Sequence, residues 1–128
     1  RGGRIDLVCH SMGGLVARVY LQELGGARRV DRCVTLGTPH HGTYNAYWVP
    51  TKVGRDMRPE SELVQRLELT RENAEYVAFT SVVGGADTMV LPREFAGHED
   101  VVRVPEVGHT GMLWSPRVLS FVADSLEG

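Results

Sequence analysis

The stretch that decides the fold is residues 5–14, which read IDLVCHSMGG. Residues 5–9 form a short, mostly apolar run, which is typical of a strand buried on both faces. A glycine-rich turn follows, and over residues 12–24 apolar side chains recur at helical spacing until two glycines stop the helix. The stretch therefore predicts a strand, a tight turn that carries Ser11, and a helix.

The rest of the chain extends this start into an α/β architecture. Residues 32–36 form a second strand, so the first 39 residues read as a βαβ unit and predict a parallel sheet. Further strands are predicted at residues 76–84 and 100–104, and helices at residues 60–69 and 116–126. Residues 40–60 show no periodicity and are expected to be a loop. We expect a single domain over 1–128 with about four parallel strands and flanking helices, in which 44–75 forms a lid or cap insertion.

Composition excludes several classes of protein. The 128 residues carry 14 Lys and Arg against 16 Asp and Glu, a net charge of −2, which argues against a nucleic-acid binder. Every apolar run is shorter than the roughly 20 residues that a membrane-spanning helix needs. The two cysteines, Cys9 and Cys33, lie in strand-like runs, where we expect buried free thiols; a Cys9–Cys33 disulfide is the alternative.

Ser11 stands where a serine can become a nucleophile. A strand-to-helix corner projects its hydroxyl from the carboxyl edge of the sheet, and small neighbours let strand and helix pass closely. The helix N-terminus favours negative charge that develops there. A serine still needs a base to take its proton and a carboxylate to hold that base.

The sequence supplies both partners. Asp87 follows the third predicted strand and His109 the fourth, and the carboxyl ends of parallel strands share one edge of a sheet. The alternatives are His98 as the base, although its polar surroundings are typical of a solvated loop, and Asp100 or Glu99 as the acid. His10, beside the serine, is expected to be structural and to face away from it.

Three segments resemble α/β-hydrolases, most closely the bacterial triacylglycerol lipases and esterases. Residues 6–14 resemble the nucleophile elbow, residues 35–43 (TLGTPHHGT) the segment after the next strand, and residues 108–113 (GHTGML) the histidine loop. The resemblance implies ester hydrolysis through Ser11, Asp87 and His109.

The resemblance also implies the surroundings of the reaction. The backbone N–H of Met12 would bind the oxyanion, and Tyr44, Trp48 and Met112 would contact substrate, with packing over the core as the alternative for the two aromatic residues. The substrate would be an ester or lipid met at a lipid interface, no cofactor is implied, and a secreted or periplasmic location is a family-level expectation.

The adjacent His40 and His41 point in different directions, so we expect no metal site.

Two departures from the family pattern leave alternatives open. Cys9 stands where the elbow usually begins with glycine. The family's sheet also begins well before the elbow, and its earlier strands supply a second oxyanion donor. We therefore expect that this sequence begins part-way through the domain. Residues 5–8 would then present an unpaired apolar edge that invites self-association. An acyltransferase or thioesterase on the same residues, or a catalytically impaired fragment, remain the alternative functions.

Overall fold

The computed structural model describes residues 3–127 and confirms the α/β class. Four strands form one parallel sheet in the order β1-β2-β3-β4. The strands are β1 (Ile5–His10), β2 (Val30–Leu36), β3 (Ala78–Gly84) and β4 (Asp100–Val104). The helices are α1 (Met12–Glu23), α2 (Lys52–Asp56), α3 (Glu62–Leu69) and α4 (Pro116–Glu127).

Alternation along the strands builds a core on each face of the sheet. On β2, Cys33 packs with the apolar side of α1, whereas its neighbour Val34 packs with Val118 and Val122 of α4. Successive side chains of a strand point to opposite faces, so one sheet separates these two helices. Both sheet faces are therefore covered, as parallel sheets require.

The long connection from β2 to β3 differs from the predicted loop. Residues 40–60 include a 3-10 helix, Tyr44–Trp48, and the short α2, which are too brief for a periodic pattern to be read. The predicted helix starts two residues late, at Glu62, because the hydroxyl of Ser61 caps it by accepting from the N–H of Val64.

The edge of the sheet formed by β1 leaves apolar side chains partly exposed. β1 lies at one edge, and Ile5 and Val8 on it are about half exposed. Within residues 3–127, no helix is long and apolar enough to cross a membrane. Cys9 and Cys33 are free thiols, as predicted, and Cys33 is buried, whereas Cys9 is only partly buried.

Candidate active site

The corner between β1 and α1 holds Ser11 in a strained conformation. Its φ is 55° and its ψ −128°, a region that residues other than glycine rarely adopt. Two hydrogen bonds fix it there: its N–H donates to the carbonyl of Leu36 at 2.9 Å, and its carbonyl accepts from the hydroxyl of Thr38 at 2.7 Å. The serine is therefore pinned to the end of the neighbouring strand β2.

Small residues are needed at one side of this corner more than at the other. A Cβ on Gly14 would lie 2.0 Å from the Thr38 hydroxyl oxygen, which no adjustment of a buried threonine could absorb. A Cβ on Gly13 would lie 3.9 Å from the Cβ of Cys9, an ordinary contact. The turn therefore accommodates Cys9, the residue that departs from the usual elbow pattern.

Three side chains distant in sequence meet at the carboxyl edge of the sheet. Ser11 Oγ lies 2.8 Å from His109 Nε2, and His109 Nδ1 lies 2.9 Å from Asp87 Oδ2. An ionised carboxylate only accepts hydrogen bonds, so Nδ1 donates to Asp87 and Nε2 of the neutral ring accepts from the serine hydroxyl. We call these three residues the relay.

Asp87 is held as a carboxylate. It is 1% exposed, and its Oδ1 accepts from the backbone N–H groups of Met89 and Val90 at 2.8 and 3.1 Å. Burial alone would raise the pKa of Asp87, but the hydrogen bonds from His109, Val90 and Met89 outweigh it and lower the pKa below its usual value. The negative charge therefore remains available to stabilise a protonated His109.

Gly37 makes room for the contact between His109 and Asp87. It follows β2 with a φ of +62°, and a Cβ there would lie 3.1 Å from both His109 Nδ1 and Asp87 Oδ2. The Cε of Met112 would be 3.0 Å away. The pair can therefore pack against bare backbone at the end of the strand.

Thr43 supports the loop that carries the acid, a role that was not predicted from the sequence. Its hydroxyl donates to the carbonyl of Met89 at 2.9 Å and accepts from the N–H of Leu91 at 2.9 Å. The one signal in the sequence is that Thr43 closes the 35–43 segment. Through these two hydrogen bonds, Thr43 ties the connection after β2 to the loop whose backbone N–H groups bind Asp87.

A cavity of about 100 Å³ opens beside Ser11 and His109. The residues that complete its wall come from the connections after β2 and β3: Pro39, Thr43, Asn45, Ala46, Val49, Met57, Met89 and Val90. A second, almost wholly apolar cavity of about 140 Å³ shares Met57 with it and runs along α1 and α2. A larger cavity of about 210 Å³ lies at the starts of β3 and β4 and contains none of the relay residues.

None of the three residues predicted to contact substrate lines the cavity beside Ser11. Tyr44 and Trp48 do not line the cavity beside Ser11, although Asn45 and Ala46 of the same 3-10 helix do, and Trp48 is 85% exposed. Met112 is fully buried in the core with Val82 and Val118, so it has no surface with which to contact a substrate. The prediction for Met112 is corrected: it packs behind the relay.

His10, which was predicted to be structural and to face away from Ser11, contacts His109. Its Nε2 lies 2.9 Å from the backbone carbonyl of His109, and the two rings are 4.8 Å apart between centroids. It therefore faces the histidine loop.

The prediction that His98 lies in a solvated loop is wrong. His98 is 6% exposed and stacks on His40 with centroids 4.9 Å apart. Its backbone N–H donates to the buried hydroxyl of Ser81, which holds residue 98 against β3. Glu99 and Asp100, the carboxylates that could have replaced Asp87 as the acid, follow His98 at the start of β4, away from the carboxyl edge.

His40 and His98 form a buried cluster with Arg18. Nδ1 of His40 lies 3.5 Å from the Arg18 guanidinium, which can only donate, so Nε2 of His40 donates to the Thr35 hydroxyl at 2.8 Å. Burial, the other imidazoles and Arg18 lower the pKa of His40 well below its usual value, and burial with Arg18 and Arg71 lowers the pKa of His98 to about 3. Within residues 3–127, no group of three or more His, Cys, Asp or Glu side chains could hold a metal ion.

Comparison with known proteins agrees with this architecture. A family model described as "PGAP1-like alpha/beta domain" matches residues 2–120. The GPI inositol-deacylase of Candida albicans is 26% identical over 135 residues, which cover 97% of this chain and 29% of that protein. The chain thus spans less than a third of this relative's length.

Two crystal structures show the same fold. Aspergillus fumigatus lipase B has a TM-score of 0.82 and 18% identity, over 99% of this chain and 37% of that one. The mature Bacillus licheniformis lipase BlEst2 has a TM-score of 0.57 and 21% identity, over 66% and 40%. The parallel sheet with its flanking helices is therefore an α/β-hydrolase fold, as the sequence predicted.

Proposed function

The chain belongs to the PGAP1-like alpha/beta domain family, and from this premise we propose that it hydrolyses carboxylic esters, with Ser11 as nucleophile, His109 as base and Asp87 as the acid that orients His109. The observation that carries the proposal is the relay. Hydrogen bonds of 2.8 and 2.9 Å join His109 to Ser11 and to Asp87, which lie 98 and 22 positions before it in the sequence. They lie at the edge of the sheet where a cavity opens. The alternating donors and acceptors are those that general-base catalysis by a serine requires.

The proposed reaction has two halves. Ser11 Oγ bonds to the ester carbonyl carbon while its proton passes to His109 Nε2, and the carboxylate of Asp87 stabilises the resulting imidazolium. His109 then returns the proton to the departing alcohol, which leaves an acyl group on Ser11. Water, deprotonated by His109, attacks this acyl-enzyme; the bond from the acyl carbon to Ser11 Oγ then breaks, the carboxylic acid leaves, and His109 returns the proton to Oγ.

The negative oxygen of the tetrahedral intermediate needs donors, and α1 offers one. Met12 is the first residue of α1, and the first N–H groups of a helix have no partner within it. The helix dipole adds to their attraction for an anion. We assign the backbone N–H of Met12 as an oxyanion donor, next in sequence to the attacking oxygen.

For the substrate, we propose an acyl ester of an inositol-containing glycolipid. The support is the Candida albicans relative, whose name is GPI inositol-deacylase and which matches 97% of this chain. The cavity beside Ser11 and the second cavity, which shares Met57 with it, both have a largely apolar lining that suits the acyl part of such an ester. Hydrolysis there would yield a fatty acid and the free inositol hydroxyl.

The proposal is tested by labelling with a fluorophosphonate probe, which bonds to an activated serine oxygen with loss of fluoride. We expect one label per chain, located on Ser11 by peptide mass spectrometry. Ser11→Ala removes the label, whereas Ser125→Ala, the matched control at a serine of α4 that donates to the Phe121 carbonyl, retains it. Equal labelling of the parent chain and Ser11→Ala, or no labelling of the parent, overturns the assignment.

Product analysis separates hydrolysis from acyl transfer. With an acylated inositol lipid in water, we expect free fatty acid as the main product, with or without an added alcohol. If most of the acyl group appears as a new ester of the alcohol, the protein is an acyltransferase that uses the same three residues.

A further inference from the structure

We propose that His10 is a positioning residue, which holds the loop that carries His109 against the strand that carries Ser11. The inference rests on the proposed function, because it concerns how the base is kept in place. It starts from one contact: the side chain immediately before the nucleophile reaches the backbone of the base, 99 residues away.

The geometry of this contact defines its chemistry. His10 Nε2 lies 2.9 Å from the carbonyl oxygen of His109. A carbonyl can only accept, so Nε2–H of His10 donates to it. The two rings also contact each other, with centroids 4.8 Å apart and planes tilted by 43°. His10 thus fixes the backbone of His109 by a hydrogen bond and its ring by packing.

The histidine loop is anchored on two sides, and His10 accounts for one of them. On the acid side, the N–H of Ala86 donates to the carbonyl of Val107 at 3.0 Å, which ties the loop to the turn before Asp87. On the nucleophile side, the side chain of His10 reaches residue 109 itself from the end of β1. The first anchor sets the distance from His109 to Asp87, and the second sets the distance to Ser11.

The position of His10 at the end of β1 makes this anchor stiff. His10 pairs with Leu36 in the register of β1 and β2, and the next N–H, that of Ser11, donates to the Leu36 carbonyl. The donor therefore sits on a backbone that the sheet already fixes. Residues 105 and 106 and residues 110 and 111 are exposed, so the packing of the loop comes from Val107 and Met112, on either side of His109, and the contact from His10 adds to it at residue 109 itself.

Loss of the anchor would let the base drift from the serine. A proton passes efficiently between Oγ and Nε2 only near hydrogen-bonding distance, and a displacement of about 1 Å can cost about 100-fold in rate. Substrate binding depends on the cavity walls, none of which is His10. The expected signature is a lower kcat with an almost unchanged KM.

Two substitutions separate the hydrogen bond from the ring. His10→Phe keeps a ring but loses the donor, and His10→Gln keeps an N–H donor but loses the ring. We expect His10→Phe to lower kcat on a p-nitrophenyl ester, and the fluorophosphonate labelling rate, by about 10- to 100-fold with KM within about 3-fold. We expect His10→Gln to recover most of the loss. Val8→Ala, at a half-exposed residue of the same strand, is the matched control and retains the parent values.

The outcomes distinguish this inference from the proposed function. The inference is wrong if His10→Phe keeps the parent kcat, if both His10 variants lose kcat equally while their melting temperatures match the parent, or if KM changes instead of kcat. In each case the loss of labelling in Ser11→Ala leaves the proposed function standing. If Ser11→Ala labels like the parent, the proposed function itself fails.

Discussion

The chain holds two histidine environments that differ in what surrounds the ring. In the relay, His109 lies between the Asp87 carboxylate and the Ser11 hydroxyl, and its side chain is 11% exposed. In the buried cluster, His40 and His98 stack on each other beside Arg18, and the His98 side chain is 4% exposed. Both environments are polar and largely enclosed, but only in the relay does the ring donate a hydrogen bond to a buried carboxylate.

The difference teaches that the charge beside an enclosed imidazole, together with burial, decides what the imidazole can do. A carboxylate 2.9 Å away offsets the positive charge that His109 would acquire as a base. In the buried cluster, burial lowers the pKa values of His40 and His98, and the positive charge of Arg18 lowers them further. The cluster therefore holds neutral rings as packing groups.

The largest expected effect comes from removing the charge that distinguishes the relay. Asp87→Asn keeps the size of the side chain but replaces the acceptor that fixes the His109 tautomer. We expect kcat on an ester to fall by about 10⁴-fold, with KM changed little. Steady-state kinetics with a p-nitrophenyl ester measure both values.

Asp100→Asn is the matched control, because Asp100 is a carboxylate of the same size that lies exposed at the start of β4. It should leave kcat within about 2-fold, as surface substitutions usually do. A comparable fall in both variants would mean that charge near the sheet in general, and not the Asp87–His109 contact, drives the reaction.

Local patterns made much of the relay predictable. The residues that resemble a nucleophile elbow, 6–14, are contiguous, and Asp87 and His109 each follow a strand whose apolar run is visible in the sequence. Because parallel strands bring their carboxyl ends to one edge, the meeting of these residues followed from topology alone. The proximity of the three residues could therefore be expected before any interatomic distance was known.

The buried cluster could not be predicted in this way. His98 is preceded by a glycine and followed by two acidic residues, so its local composition is that of a loop, whereas its burial depends on His40 and Ser81, which are 58 and 17 residues away. The helices at residues 44–56 are likewise too short for periodicity to show. These features depend on tertiary contacts, on which local sequence carries no information.

A smaller effect is expected from crowding the relay without changing its charges. Gly37→Ala places a methyl group 3.1 Å from both His109 Nδ1 and Asp87 Oδ2, at a φ of +62°. The neighbours must move by a few tenths of an ångström, so we expect kcat to fall by about 10- to 100-fold and stability by roughly 2 kcal/mol. Ester kinetics and denaturant unfolding measure the two changes.

Gly25→Ala separates backbone strain from crowding. Gly25 has a φ of +78°, but its added Cβ would meet only the far end of the Arg28 side chain, at 3.3 Å. We expect a similar loss of stability with the parent kcat. If Gly37→Ala also retains the parent kcat, the space around the pair is larger than the structure shows.

The smallest expected effect concerns the buried cluster and appears as a dependence of stability on pH. Burial and nearby arginines lower the pKa of His98 to about 3 in the folded chain, against about 6.5 for an exposed histidine. Below pH 6.5 the unfolded chain therefore binds a proton at His98 that the folded chain does not. The free energy of unfolding that the neutral His98 contributes is fully present above pH 6.5 and is lost as the pH falls towards 3. At pH 5 the loss is about 2 kcal/mol.

His98→Phe removes this titration while keeping the ring contacts with His40 and Phe79. Urea unfolding between pH 7 and 5 should therefore show a shallower loss of stability in the variant than in the parent, and His40, which remains, should account for part of the residual slope. Kinetics on an ester at pH 7 should be unchanged, because His98 lies at the far end of β4 from the relay. Parallel stability profiles for the two chains would show that His98 is not held neutral by its surroundings, and the contrast with His109 would then rest on His40 alone.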